Sequence, residues 1–134
     1  MISELVWENA GVTQMVSFDN LVSQLKQSLV LSCGDTKLST DTESHDIQLG
    51  RSDNCDFIVD AELASRFHAK IGVKRGHFVL TDQSTNGTYI RSEEGSVSFL
   101  RRDEINLEGK GTISLGAQIT EDTPWLINFS VSNN

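Results

Sequence analysis

Three short polar segments hold most of the side chains in this sequence that could do chemistry. Gly50-Arg51, Ser65-Arg66-Phe67-His68-Ala69 and Asp82-Gln83-Ser84-Thr85-Asn86-Gly87-Thr88 each sit beside an apolar run of strand length. Together they supply the guanidinium groups of Arg51 and Arg66, the hydroxyls of Ser65 and Thr85, and the carboxamide of Asn86. A planar guanidinium donates two parallel hydrogen bonds to a tetrahedral anion, a geometry that a lysine ammonium does not reproduce. Hydroxyls add neutral donors, and a carboxamide both donates and accepts, so it can clamp an extended peptide backbone. This inventory suits a phosphate ester presented on a peptide. Each part also has a plainer explanation. Arg51 could pair with Asp53 or Asp56, Ser65 could cap a turn or helix, and Asn86-Gly87 is a common hairpin turn.

Ser65, His68 and Asp82 could also be drawn as a hydrolase triad. Nothing nearby resembles a nucleophile elbow, and a histidine three residues after the serine would have to fold back to reach it. The simpler expectation is a partly buried histidine, hydrogen-bonded to backbone, that holds the Ser65 turn in shape. No catalysis is expected from this chain. His45 and His77 are isolated from other metal-type residues, so no metal or cofactor is expected either.

Composition narrows the ligand classes. A net charge of -8 over 134 residues opposes sequence-independent nucleic-acid binding, which needs a basic face. Any anion site must be local and built by a few placed arginines against an unfavourable field. No apolar run exceeds three residues and no signal-peptide pattern opens the sequence, so the expectation is a cytoplasmic protein without a membrane partner. Cys33 and Cys55 lack zinc or redox-pair spacing and read as reduced thiols, a bridge between them being the alternative.

The elements that must position these residues are short strands. Residues 1–28 differ in texture: Glu4 to Glu8 has strand character, and Phe18, Leu21, Val22 and Leu25 follow helical spacing within Ser17 to Ser28. This stretch reads as a linker or docking segment, with the main domain over residues 29–134. From Leu29 onward, apolar runs recur at close spacing between Gly, Asn, Asp and Ser: residues 29–31, 47–49, 56–59, 69–73, 77–80, 88–90, 97–100, 104–107, 111–115 and 125–131. Residues 34–46 form a polar connection, and Lys74-Arg75-Gly76 marks a tight hairpin. In the last run Trp125, Ile127, Phe129 and Val131 share one face. Ten or eleven such strands without a long helix call for an all-β fold, an antiparallel β-sandwich.

Gly-Arg, then Ser-x-x-His, then a turn ending Asn-Gly, in this order and between such strands, resembles the forkhead-associated (FHA) domain over roughly Leu29 to Val131. The resemblance implies a phosphothreonine-containing peptide or protein as partner. It implies that Arg51, Ser65, Arg66 and Thr85 contact the phosphate and that Asn86 holds the peptide backbone. Gly50, His68 and Gly87 would then support the site structurally. It also implies a preference for phosphothreonine over phosphoserine. One departure stands out. Many members carry Gly-Asp before the late Ile-x-Leu-Gly strand, where this chain has Gly111-Thr112. Leu5-Val6-Trp7-Glu8 with Val12-Thr13 resembles the tail of bacterial class III nucleotide cyclase domains, which implies a regulatory domain of an adenylate or guanylate cyclase. A phosphorylation-independent scaffold or dimerisation module remains the alternative, and the oligomeric state stays open.

Overall fold

The computed structural model describes residues 27–133. The strand expected at 4–8, the cyclase-like residues and most of the helical pattern at 17–28 lie outside them; Gln27 and Ser28, at the end of that pattern, open the first strand. Eleven strands follow in order: β1 Gln27–Cys33, β2 Thr36–Asp41, β3 Ile47–Gly50, β4 Phe57–Ile58, β5 Ala69–Lys74, β6 His77–Asp82, β7 Thr88–Ser92, β8 Val97–Leu100, β9 Glu104–Asn106, β10 Lys110–Leu115 and β11 Ile127–Asn133. They form two sheets, ordered β2-β1-β11-β10-β7-β8 and β4-β3-β5-β6-β9, which pack as a sandwich. Among the described residues no helix is long and apolar enough to cross a membrane.

Alternation writes the core. Leu29 and Leu31 of β1, Ile47 and Leu49 of β3, Ile113 and Leu115 of β10, and Ile127 and Phe129 of β11 point inward, with Phe57, Phe78 and Leu80 between them. Burying each such side chain contributes roughly 1.5–3 kcal/mol against the entropy of ordering the chain. The expected hairpin at residues 74–76 closes with Lys74 opposite His77, and Arg75 and Gly76 both take positive φ, 53° and 79°. Those dihedrals match the twist of the flanking strands.

Three features depart from expectation. Residues 36–41 form the edge strand β2, where a polar connection was expected; the strand exposes most of its side chains, so no apolar period announces it. The pairing of β3 with β4 is parallel, Leu49 beside Phe57, inside an otherwise antiparallel pattern. Residues 51–56 loop out and return, and the return is fixed by hydrogen bonds from Gln48 N to Asp56 Oδ2 (2.7 Å) and from Val59 N to Gly50 O (2.8 Å). Trp125 does not join the buried face of the last strand. It stands before β11 at φ 62° and is exposed, whereas Ile127 and Phe129 are buried.

The registers place Gly50, Ala69, Asp82, Thr88, Leu100 and Leu115 at one end of the sandwich. The loops after β3, β4, β6, β8 and β10 all open there. Gln27 pairs with Asn133 at the other end.

Candidate functional site

The β6–β7 turn, residues 83–87, is built around a buried carboxylate. Asp82 Oδ1 accepts hydrogen bonds from Thr88 Oγ1 (2.6 Å) and Ser84 Oγ (2.7 Å), and Oδ2 accepts from Arg102 N (2.9 Å) and Ser84 N (3.1 Å). Ser84 Oγ in turn accepts from Gly87 N at 2.7 Å. Burial alone would push the Asp82 carboxyl up, but these bonds from Thr88, Arg102 and Ser84 outweigh it and hold it below the usual carboxylate range. The charge is thus kept inside by donors rather than by a counter-ion. Arg102 closes the turn from outside, donating from Nε to Ser84 O at 3.0 Å. These two contacts make Arg102 part of the scaffold.

His68 joins the Ser65 turn to this one. It is fully buried; Nδ1 accepts from Ser65 N at 2.9 Å, and Nε2 meets Gly87 O at 2.8 Å. A carbonyl can only accept, so Nε2 carries the proton and the ring is neutral. Burial lowers the His68 pKa, against smaller opposing effects from the Gly87 carbonyl and the Asp82 charge. This arrangement is incompatible with a Ser65–His68–Asp82 triad. Both ring nitrogens are committed to backbone groups, and Nε2 stands 3.8 Å from Asp82 Oδ1, beyond hydrogen-bond reach. No nitrogen is left to take the Ser65 hydroxyl proton.

Gly50 lets the third loop approach. A Cβ there would come within 2.9 Å of His68 N and would collide with the Arg66 carbonyl. In its absence the loops lock through backbone bonds from Arg51 N to Ser65 O and Ser52 N to Arg66 O, both 3.1 Å, and from His68 N to Leu49 O, 2.8 Å. Gly87, at φ 87°, is equally constrained, since a Cβ would run into the Phe99 ring. Phe99 and Tyr89 pack against each other at a tilt on the outer face of their sheet, ring centroids 4.7 Å apart, while Ile90 is buried in the core.

On this frame the chemistry-bearing side chains gather unevenly. Arg51 and Arg66 line one open cleft of about 370 Å³ with Ser52, Asp53 and Asp60. Neither guanidinium makes an ion pair with another described residue, so the pairing of Arg51 with Asp53 or Asp56 does not form. Asp56 is instead spent on the Gln48 amide. Ser65 Oγ accepts from Thr85 N at 3.2 Å, which ties the second segment to the third and leaves the hydroxyl hydrogen to donate elsewhere. Asn86 Nδ2 donates to Leu63 O at 3.0 Å. Its amide therefore already bridges two loops, and one donor hydrogen and the oxygen remain for a ligand. Thr85 and Asn86 are exposed at the rim and do not line the arginine cleft. Cys55 is buried beneath it, donating from Sγ to Arg66 O at 3.1 Å, and both Cys55 and Cys33 are free thiols. Asp82, Ser84 and Arg102 carry structural weight that residue spacing did not assign them; the Asp-x-Ser spacing ahead of a turn was the available signal.

Residues 47–116, just over half of the chain, match the sequence model of the FHA domain. No curated protein matches the chain. Among solved structures, the FHA-1 domain of Mycobacterium tuberculosis Rv1747 superposes with a TM-score of 0.60 at 21% identity, over 80% of this chain and 98% of that one. The FhaA FHA domain, solved with the intracellular domain of Rv3910, gives 0.53 at 21% identity over 79% and 99%. The MEK1 FHA domain, solved with a HOP1 phosphothreonine peptide, gives 0.56 at 18% identity over 79% and 96%. At such identities the superpositions speak for the fold, and the family match speaks for descent. This chain belongs to the FHA domain family.

Proposed function

We propose that this domain binds phosphothreonine peptides, with Arg51, Ser65, Arg66 and Thr85 around the phosphate and Asn86 on the peptide backbone. The observation that carries this reading is the pair of guanidinium groups of Arg51 and Arg66, unpaired among the described residues, on one cleft whose loops are locked by backbone bonds. Two charged donors that make no ion pair among the described residues are available to an incoming anion. A phosphothreonine brings about -1.5 to -2 charge and three acceptor oxygens near neutral pH. Each hydrogen bond to such a group contributes about 1.5–3 kcal/mol, so the cleft alone discriminates the phosphorylated from the plain peptide. The phosphothreonine peptide held by the similar MEK1 domain supports the ligand class.

The geometry favours binding over turnover, because both His68 ring nitrogens are spent on backbone and neither can take the Ser65 proton. Calorimetry with an oriented phosphothreonine library is the direct test. Wild type should bind phosphorylated peptides and ignore their dephosphorylated forms, and Arg51→Ala should weaken binding about a hundredfold or more with the fold unchanged. Equal affinity in that variant, or equal binding after phosphatase treatment, would sink the reading. The further step, a regulatory domain of a nucleotide cyclase in the cytoplasm, rests on residues 5–13 and their cyclase likeness. An upstream reading frame without a cyclase domain would refute it.

A further inference from the structure

Each sheet of an open sandwich ends in edge strands, whose outward N–H and C=O groups find no neighbour in the sheet. Among the described residues the edges are β2 and β8 in one sheet and β4 and β9 in the other. Three of them are blunted. β2 carries Lys37 and Asp41, β9 carries Glu104 bonded to Lys74, and β4 is two residues long. β8 is different. Its residues, Val97-Ser98-Phe99-Leu100, include no charge and no proline, and Val97 and Phe99 stand 57% and 50% exposed on the outer face. The Phe99 ring leans on Tyr89, so the apolar patch extends from the edge onto β7.

Register fixes what this edge can take. Ser92 N donates to Ser96 O, and the ladder continues with Arg91 opposite Val97, Ile90 opposite Ser98 and Tyr89 opposite Phe99. Hydrogen-bonded and non-hydrogen-bonded pairs alternate in an antiparallel ladder. Ser96 and Ser98 therefore commit their backbone groups to β7, and Val97 and Phe99 turn theirs to the free side. Such an edge is complementary to itself. A second β8, antiparallel about a two-fold axis at Ser98, sets Val97 opposite Phe99 of the second copy, both in hydrogen-bonded positions with side chains on the outer face. A slip of one residue would set Val97 against an inward-facing position. The charges favour the same arrangement. Glu93 and Glu94 precede the strand, Arg101 and Arg102 follow it, and all four are exposed. Antiparallel pairing lays the acidic end of one copy beside the basic end of the other, where parallel pairing would bring like charges together.

We infer that β8 is the docking edge for a second copy of this chain, paired β8 to β8 so that the two six-stranded sheets join across the axis. The inference is independent of the phosphothreonine reading, since antiparallel pairing turns the two arginine clefts to opposite ends of the dimer. The contact is small, and the net charge of -8 on each copy opposes it. A weak dimer with a dissociation constant of about 10–100 μM is expected.

Sedimentation of the full chain over a concentration series should show a reversible monomer–dimer equilibrium. Amide exchange at Val97 and Phe99 should slow as concentration rises, while that at Ser98, already bonded to β7, changes little. Val97→Pro removes an edge donor and leaves the bonds to β7 in place, so the dimer should weaken about tenfold or more. Val97→Lys, which blunts the edge without altering the backbone, should weaken it as well. Melting profiles like that of wild type establish that both variants fold; should either fold poorly, the wild-type exchange decides alone. A chain that stays monomeric throughout, whether the edge is bare or residues 1–26 take it, overturns the pairing. So does a dimer whose Val97 and Phe99 amides gain no protection, or one untouched by both variants.

Discussion

Asp82 receives hydrogen bonds from four protein donors, whereas Arg51 and Arg66, on the adjoining loops, find no partner for their guanidinium groups among the described residues. The first region is a closed network: carboxylate, hydroxyls and amides satisfy one another out of water. The second is pinned only through its backbone, and its charged ends are left unspent. Hydrogen bonds are thus concentrated on Asp82, and uncommitted charge on Arg51 and Arg66. A buried polar group left without its partners costs far more than an exposed one, so substitutions in the two regions should have opposite signatures.

The harshest way to break that contrast is Asp82→Ala. It orphans the Ser84 and Thr88 hydroxyls and two amides together, and a loss of about 3 kcal/mol or more is expected in denaturant titration. A loss below about 1 kcal/mol would mean that the network is not cooperative. Next is His68→Ala, which leaves Ser65 N unsatisfied and Gly87 O with only its bond from Gly116 N, beside a cavity. About 2–4 kcal/mol should be lost by the same measurement, with phosphopeptide binding weakened because Ser65 is released. An unchanged midpoint would remove His68 from its role as the brace.

Acidification sharpens the comparison without mutation. The folded-state pKa of His68 lies below the ordinary 6.5, so the unfolded chain takes the proton first. Its contribution is fully present above about pH 6.5 and is lost progressively as pH falls below that value. Protonating Nδ1 would also set a donor against the Ser65 amide. Asp82, depressed from 3.8, adds a second loss that begins only near and below that value. Thermal melts should therefore fall between pH 7 and 5, with a smaller slope in His68→Gln; a flat profile in wild type contradicts the assignment. The smallest expected change is that of Arg51→Ala with Arg66→Ala. Melting should stay within about 0.5 kcal/mol of wild type while phosphopeptide binding disappears. A marked destabilisation would show that the cleft belongs to the scaffold after all.

Much of the fold was legible because half-buried strands alternate, and Leu29 with Leu31 or Ile113 with Leu115 announce their faces directly. β2 was not, since a polar edge strand takes its order from β1 and not from its own side chains. Trp125 misled for the converse reason: alternation predicts a face only while the backbone stays extended, and φ turns positive there. At the site, residue types and order pointed to Arg51, Ser65, Arg66, Thr85 and Asn86. Spacing could not reveal that Asn86 reaches back to Leu63, nor that Arg102, distant in sequence, closes the same turn. Such contacts are set by tertiary approach, which leaves no periodic mark.

The pairing of Gln27 with Asn133 has a practical consequence for whatever lies on either side. Polypeptide entering and leaving the sandwich passes through neighbouring positions at the pole away from the arginines. The described domain can thus be held like a probe on a doubled stem, its arginine-bearing loop end turned outward. Chain joined directly at Gln27 or Asn133 enters or leaves at the pole away from Arg51 and Arg66.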